Sequence, residues 1–249
     1  MMRIGVTSIE HAAAAAKMGF DYLEVNASNL SKLSEEEFEK TLICIQESGL
    51  PAETCNVLFH DIQLLSDEGR GRLESYLHDI FQRLKRVGVQ LAVFGSGGAR
   101  NRPKELPFAE GWRRLCEVTR VIGSVAGEYG MSVAVEPLRR AETNMINTVI
   151  EGASLASAVN LPNVWTLADS YHMFMDAEPL EDIRIVGRLN HVHTALRDGR
   201  CYPTYADGQL RLFMNELHEI GYDGRITIEA GTKHFEHDAP LALSTLRSL

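Results

Sequence analysis

Paired cysteines are missing from this chain of 249 residues: Cys44, Cys55, Cys116 and Cys201 are scattered, with no CxxC spacing. That excludes a zinc ribbon and a disulfide framework, and it leads us to expect reduced thiols in a cytoplasm. Basic charge is also in deficit, with a formal net charge of −9. Nucleic acid and anionic membranes reward an excess of lysine and arginine, so neither is expected as the main partner. No apolar run reaches the roughly 18 residues that a membrane span needs. The start, Met1-Met-Arg-Ile-Gly-Val6, lacks a charged region followed by a long apolar core, so no signal peptide is expected. A nucleotide fingerprint is absent too. The stretch Gly95-Ser-Gly97-Gly98-Ala-Arg100 fails the last glycine of GxGxxG, and no Walker sequence occurs.

What is present is ordinary globular material, 45% hydrophobic and 24% charged, in a chain long enough to fold without staples. Short apolar, β-branched runs at residues 3–7, 21–26, 52–57, 89–94, 131–136, 163–169, 189–193 and 225–229 read as strands. Helical segments fall between them. Ser8 is a candidate N-cap for a first helix through the alanines of 12–16, closing before Gly19. Ser34 and Glu37 form a capping box for a helix to about residue 48, with Gly49 and Pro51 behind it. Further helices are expected at 67–86, 108–129, 147–159, 179–186, 208–220 and 238–249. Strict alternation implies a parallel sheet with right-handed crossovers. Eight such units in about 250 residues predict one (β/α)8 TIM barrel domain spanning residues 1–249.

Four of these strands end on metal-compatible side chains. Residues 131–137 run apolar into Glu136 and then Pro137, which ends ladder pairing. Residues 163–169 end on Asp169, 189–193 on His191 and His193, and 225–229 on Glu229. One carboxylate at a strand end is usually a cap, and one histidine in an apolar strand is usually a core residue. Four in successive strands share a single mouth in a barrel. Two glutamates, an aspartate and an imidazole make a mixed oxygen and nitrogen set suited to one divalent ion: Mn2+ foremost, with Co2+, Mg2+, Fe2+ or Zn2+ as alternatives. His191 and His193 lie on the same side of their strand, and His193, nearer the C-terminal end, is the better ligand.

These residues resemble the xylose isomerase-like superfamily, and within it the sugar isomerase/epimerase branch that includes ketose 3-epimerases. Glu136-x-x-x-Arg140-x-Glu142-Thr-Asn144, the pair Asn147-Thr148, Asp169-Ser-Tyr-His172-Met173 and Gly221-Tyr-Asp-Gly224 ahead of Glu229 carry the likeness, over about residues 132–229. The resemblance implies a metal held by Glu136, Asp169, His193 and Glu229. The two glutamates then act as an acid–base pair on opposite faces of a sugar or sugar phosphate, through a metal-stabilised enediolate. It implies substrate contacts from Glu142 and His172, from one of Arg197 and Arg200, and from Glu24 and His60. It also implies pairing of two barrels into a homodimer. The glycines of 95–98 with Arg100 and Arg102 offer a loop that could hold a phosphate.

Other readings are weaker. A keto-cyclitol dehydratase of the same superfamily would use similar proton abstraction. An endonuclease IV-like nuclease needs a histidine where Phe94-Gly95 stands and a D-x-H absent from residues 201–208. A non-catalytic sugar-binding barrel would not need both glutamates.

Overall fold

The computed structural model describes residues 2–249. Parallel pairing runs from β1 (Arg3–Val6) through β2 (Tyr22–Asn26), β3 (Ala52–Asn56) and β4 (Leu91–Phe94). It continues through β5 (Ser132–Val135), β6 (Val164–Asp169), β7 (His191–Thr194) and β8 (Arg225–Ile228), which pairs back onto β1 and closes the (β/α)8 barrel. The helices in the first half are α1 (Ala12–Met18), α2 (Ala27–Lys32), α3 (Glu35–Ser48), α4 (Asp67–Val87), α5 (Gly97–Arg100) and α6 (Phe108–Glu128). In the second half they are α7 (Val149–Val159), α8 (Ser170–Asp176), α9 (Asp182–Val186), α10 (Gly208–Glu219) and α11 (Phe235–Arg247). Among the described residues no helix is long and apolar enough to cross a membrane.

Alternation along the strands divides the core in two. Ala92, Phe94, Val133, Val135 and Ala168 point outward into one large core shared with helix residues such as Leu73, Leu77 and Leu115. Leu91, Val93, Ala134 and Leu167 form a separate small cluster inside the barrel. The rest of the interior is polar: Glu24 of β2 meets His191 of β7, and Tyr22 meets Thr227 of β8. Register puts the strand ends side by side, with Asp169 opposite His193 and His193 opposite Thr227.

The Ser34–Glu37 capping box is present, and Gly49 closes α3 in the left-handed conformation. Several elements differ from the sequence expectation. The first helix starts at Ala12 with no side-chain cap from Ser8; alanine has the highest intrinsic helix propensity, so the run forms without one. Helices α2 and α8 were not expected, because their caps, Asn26 and Asp169, are also the last residues of strands. The last helix begins at Phe235, three residues early, and takes Pro240 inside it. Phe235 anchors that start by stacking on His11, with ring centroids 4.2 Å apart.

Just beyond α8, the Glu178 carboxylate accepts the Val149 N–H at the start of α7 at 2.7 Å. Burial outweighs that bond and pushes the Glu178 carboxyl up from 4.5 to about 7. The folded chain therefore binds more protons than the unfolded chain between these values, and stability falls as pH rises through the window. Roughly 1–3 kcal/mol of denaturant-measured stability is expected to be lost between about pH 4.5 and 7. Glu178→Gln should flatten that segment of the profile. An unchanged slope in the variant would show that Glu178 does not carry it.

Candidate active site

Local structure delivers each side chain to the mouth. Glu136 follows β5, and its N–H still donates to Phe94 O at 3.2 Å, continuing the sheet for one residue before Pro137. Its carboxylate occupies space that Gly95 leaves open: a Cβ at position 95 would collide with Glu136 Oε2. Asp169 splits its two oxygens between two tasks. Oδ1 caps α8, accepting the Tyr171 N–H at 2.7 Å and the His172 N–H at 3.4 Å, while Oδ2 is buried without a hydrogen-bond partner. Glu229 is gripped from both sides, with Asn56 Nδ2 donating to Oε1 at 2.6 Å and Arg200 Nη2 donating to Oε2 at 2.5 Å. His193 Nδ1 lies 2.8 Å from Glu136 Oε1 and 3.3 Å from Glu229 Oε2.

Glu136, Asp169, His193 and Glu229 each offer a ligand atom, and these atoms all lie within 4.8 Å of one another. The orphaned Asp169 Oδ2, which has no donor to satisfy it, fits a cation at this point. Hard carboxylate oxygens with a single imidazole are the donors that Mn2+, Mg2+, Co2+, Fe2+ and Zn2+ share. A second group, Glu24, His191 and His193, is close enough in principle. Its atoms already meet at 3.0 Å contacts between carboxylate and imidazole, and we read it as a hydrogen-bonded layer.

Electrostatics separate the two glutamates. Burial, reinforced by the Glu229 charge, raises the Glu136 carboxyl. Burial would raise Glu229 too, but His193 and Arg200 outweigh it and bring that carboxyl down to about 2. Burial opposes the His193 imidazolium, yet Glu24, Glu229 and Glu136 around it hold its pKa well above the ordinary value. Two carboxyls pushed apart in this way are suited to opposite roles as acid and base.

The cluster opens into a cavity of about 520 Å³ between the loops after β3 and β4. His172 and Glu142 line it, as does Arg200. His172 is buried, and its Nδ1 accepts the Arg139 N–H at 3.3 Å, which leaves a protonated, unpartnered Nε2 as a donor. Glu142 pairs with Arg139 at 2.7 Å. His60 lines the outer rim, exposed and bonded to Asp61.

Four expectations need correction. Arg197 is exposed, with no hydrogen bond or ion pair among the described residues; the turn at Gly199 sends Arg200 to the site instead. Glu24 does not line the cavity; it is 1% exposed and lies beneath His193. Arg100 cannot serve a phosphate, because it is fully buried and donates to the carbonyls of Phe94, Glu136 and Ile146. Arg102 turns back onto its own loop, where Nη1 donates to the Pro103 and Leu106 carbonyls. Asn56 is the residue that sequence reading missed. The available signal was its place as a polar residue ending β3, as the ligand candidates end theirs.

A parallel barrel whose strand ends gather carboxylates and one imidazole into an open mouth has the architecture of a TIM-barrel enzyme. Residues 12–249 match the model of the xylose isomerase-like TIM barrel family, and the chain belongs to it. It is 28% identical over 228 residues to a D-psicose 3-epimerase of Ruminiclostridium cellulolyticum, covering 86% of this chain and 75% of that one. It is 29% identical over 224 residues to a 3-dehydro-D-guloside 4-epimerase of Escherichia coli, covering 86% and 83%. The crystal structure of a 3-keto-D-glucoside 4-epimerase from E. coli superposes over 100% of both chains with a TM-score of 0.82 at 24% identity.

Proposed function

We propose that this chain is a divalent-metal-dependent sugar epimerase that inverts a carbon next to a carbonyl, with Glu229 and Glu136 as its base and acid. The observation that carries this reading is the convergence of Glu136, Asp169, His193 and Glu229 within 4.8 Å at the cavity floor. A cation held by these four, Mn2+ first, would supply Lewis acidity toward the carbonyl oxygen. Glu229, gripped by Arg200 and Asn56, takes the proton from the carbon. The bonding pair left behind moves toward the carbonyl oxygen. Glu136, whose carboxyl is raised by burial and by the Glu229 charge, returns a proton from the opposite face. His172 Nε2–H, Glu142 and Arg200 orient the hydroxyls.

The relatives named for D-psicose and for 3-dehydro-D-guloside support a small keto-sugar as substrate. An unphosphorylated sugar is favoured, since Arg200 at the mouth is already paired with Glu229 and stands 3.6 Å from Asp169.

The test is proton exchange in deuterated water, with the Mn2+-loaded protein and a panel of ketoses, 3-keto-glycosides and ketose phosphates. Deuterium should enter the carbon next to the carbonyl of an unphosphorylated substrate and stop entering once a chelator is added. No exchange across the panel, or exchange that survives chelation, would sink the proposal.

A further inference from the structure

Beneath the mouth, the barrel interior holds a carboxylate that the proposed chemistry does not use. Glu24 projects inward from β2 and is 1% exposed. Its Oε2 receives Thr54 Oγ1 at 2.7 Å, His191 Nε2 at 3.0 Å and Thr227 Oγ1 at 3.2 Å. Thr227 Oγ1 lies 2.8 Å from the Tyr22 hydroxyl. The Tyr22 ring fits there because position 5 is glycine, where any Cβ would run into it. With Tyr22 O–H donating to Thr227, the Thr227 proton is left for Glu24. Oε2 is therefore saturated with donors.

Oε1 is different. It is buried with no completed hydrogen bond, and the same holds for His193 Nε2. The two atoms stand 3.0 Å apart. Two lone pairs facing each other at that separation would repel, so one of the atoms carries a proton, and imidazole is intrinsically the more basic of the two groups. The proton therefore sits on Nε2. With a cation at the site the imidazole would be neutral, protonated at Nε2 and with its lone pair on Nδ1, the nitrogen that faces Glu136 and Glu229.

We propose that Glu24 is a positioning residue that holds His193 in the Nε2–H tautomer and aims its Nδ1 lone pair at the cation site. This rests on the metal reading given under Proposed function. Thr54, His191, Thr227 and Tyr22 form the frame that keeps Glu24 in place, and Gly5 makes room for that frame. Without Glu24, the buried imidazole has no acceptor for Nε2–H, so the tautomer facing the carboxylates is no longer selected. Loss of such an outer carboxylate typically weakens metal binding by roughly 10- to 100-fold.

Two readouts test this apart from turnover. The first is Mn2+ affinity, by titration of the stripped protein. Glu24→Leu should bind Mn2+ roughly 10- to 100-fold more weakly, and Glu24→Gln should be weakened as well, because the three donors around Oε2 draw the amide oxygen and leave an NH2 group facing His193 Nε2. The second needs no variant: the imidazole ¹⁵N spectrum of the Mg2+-loaded parent should show His193 protonated at Nε2 and bare at Nδ1. Parent-like Mn2+ affinity in Glu24→Leu, or a proton on Nδ1, would overturn the assignment while leaving the metal site standing. A parent that takes up no divalent cation would overturn the metal reading and this one with it.

Discussion

Glu229→Gln is expected to lower turnover by roughly 10²- to 10⁴-fold, the usual worth of a general base, with the barrel still folded. The substitution is close to isosteric but cannot meet both neighbours. Asn56 Nδ2 and Arg200 Nη2 both donate to this side chain, at 2.6 and 2.5 Å. An amide offers its oxygen to only one of them and turns an NH2 group toward the other. The stability cost should be about 1–3 kcal/mol, the penalty for one unsatisfied donor pair at a nearly buried site. Measurement of kcat, solvent deuterium uptake and a urea melt on the same preparation separates the two effects. Because Glu229 is also a proposed metal ligand, bound Mn2+ should be determined alongside. A variant that keeps its metal and still loses deuterium uptake identifies the lost base. Turnover within a few-fold of the parent would remove Glu229 from the chemistry. Adding Glu136→Gln should cost much less than the product of the single effects, as groups that act as one unit do.

Gly95→Ala is expected to be nearly as damaging, although position 95 carries no chemistry. The added methyl would lie where Glu136 Oε2 now is, and close to the rest of that carboxylate. Glu136 must then move its carboxylate, and a displacement near 1 Å at a reacting group costs about 10²-fold in rate. Gly95 is not among the residues with positive φ, so alanine brings no backbone strain and the loss should appear in kcat rather than in the melt. Three residues on, Gly98 has nothing within 4 Å of an added Cβ. Gly98→Ala should leave kcat at the parent value. Equal kinetics for the two variants would mean that Glu136 does not act from the position seen here.

These two glycines show how far a linear reading reaches. In the sequence they belong to one glycine-rich loop beside two arginines, and backbone approach to a phosphate is the natural interpretation. In the barrel, Gly95 makes way for a carboxylate, Gly98 faces open space, and Arg100 is buried against the carbonyls of Phe94, Glu136 and Ile146. A buried cation bound to the end of β4 and to two points of the loop after β5 is a structural clasp. Nothing in the local composition distinguishes it from an anion-binding arginine, because the carbonyls it satisfies lie up to 46 residues away.

The strands themselves were legible, since each buried run is bounded by glycine, proline or a capping residue. The boundaries slipped where one residue serves two elements, as Asn26 and Asp169 do by ending a strand and capping the next helix. Glu24 was misplaced for a related reason. Period-2 alternation says that it points inward, but not how deep it lies, and depth in a barrel depends on strand stagger.

By itself the sequence determined the barrel and the set of strand-end groups that share its mouth. Both follow from short-range rules: alternation sets which way a side chain points, and caps and turn residues set where an element stops. Only the tertiary structure decided that Arg200 and not Arg197 enters the site, that Asn56 and Arg200 grip Glu229, and that Glu24 supports His193 from below. Those pairings join residues from 29 to 173 positions apart. They depend on barrel closure, register and loop path, which no local window of the chain encodes.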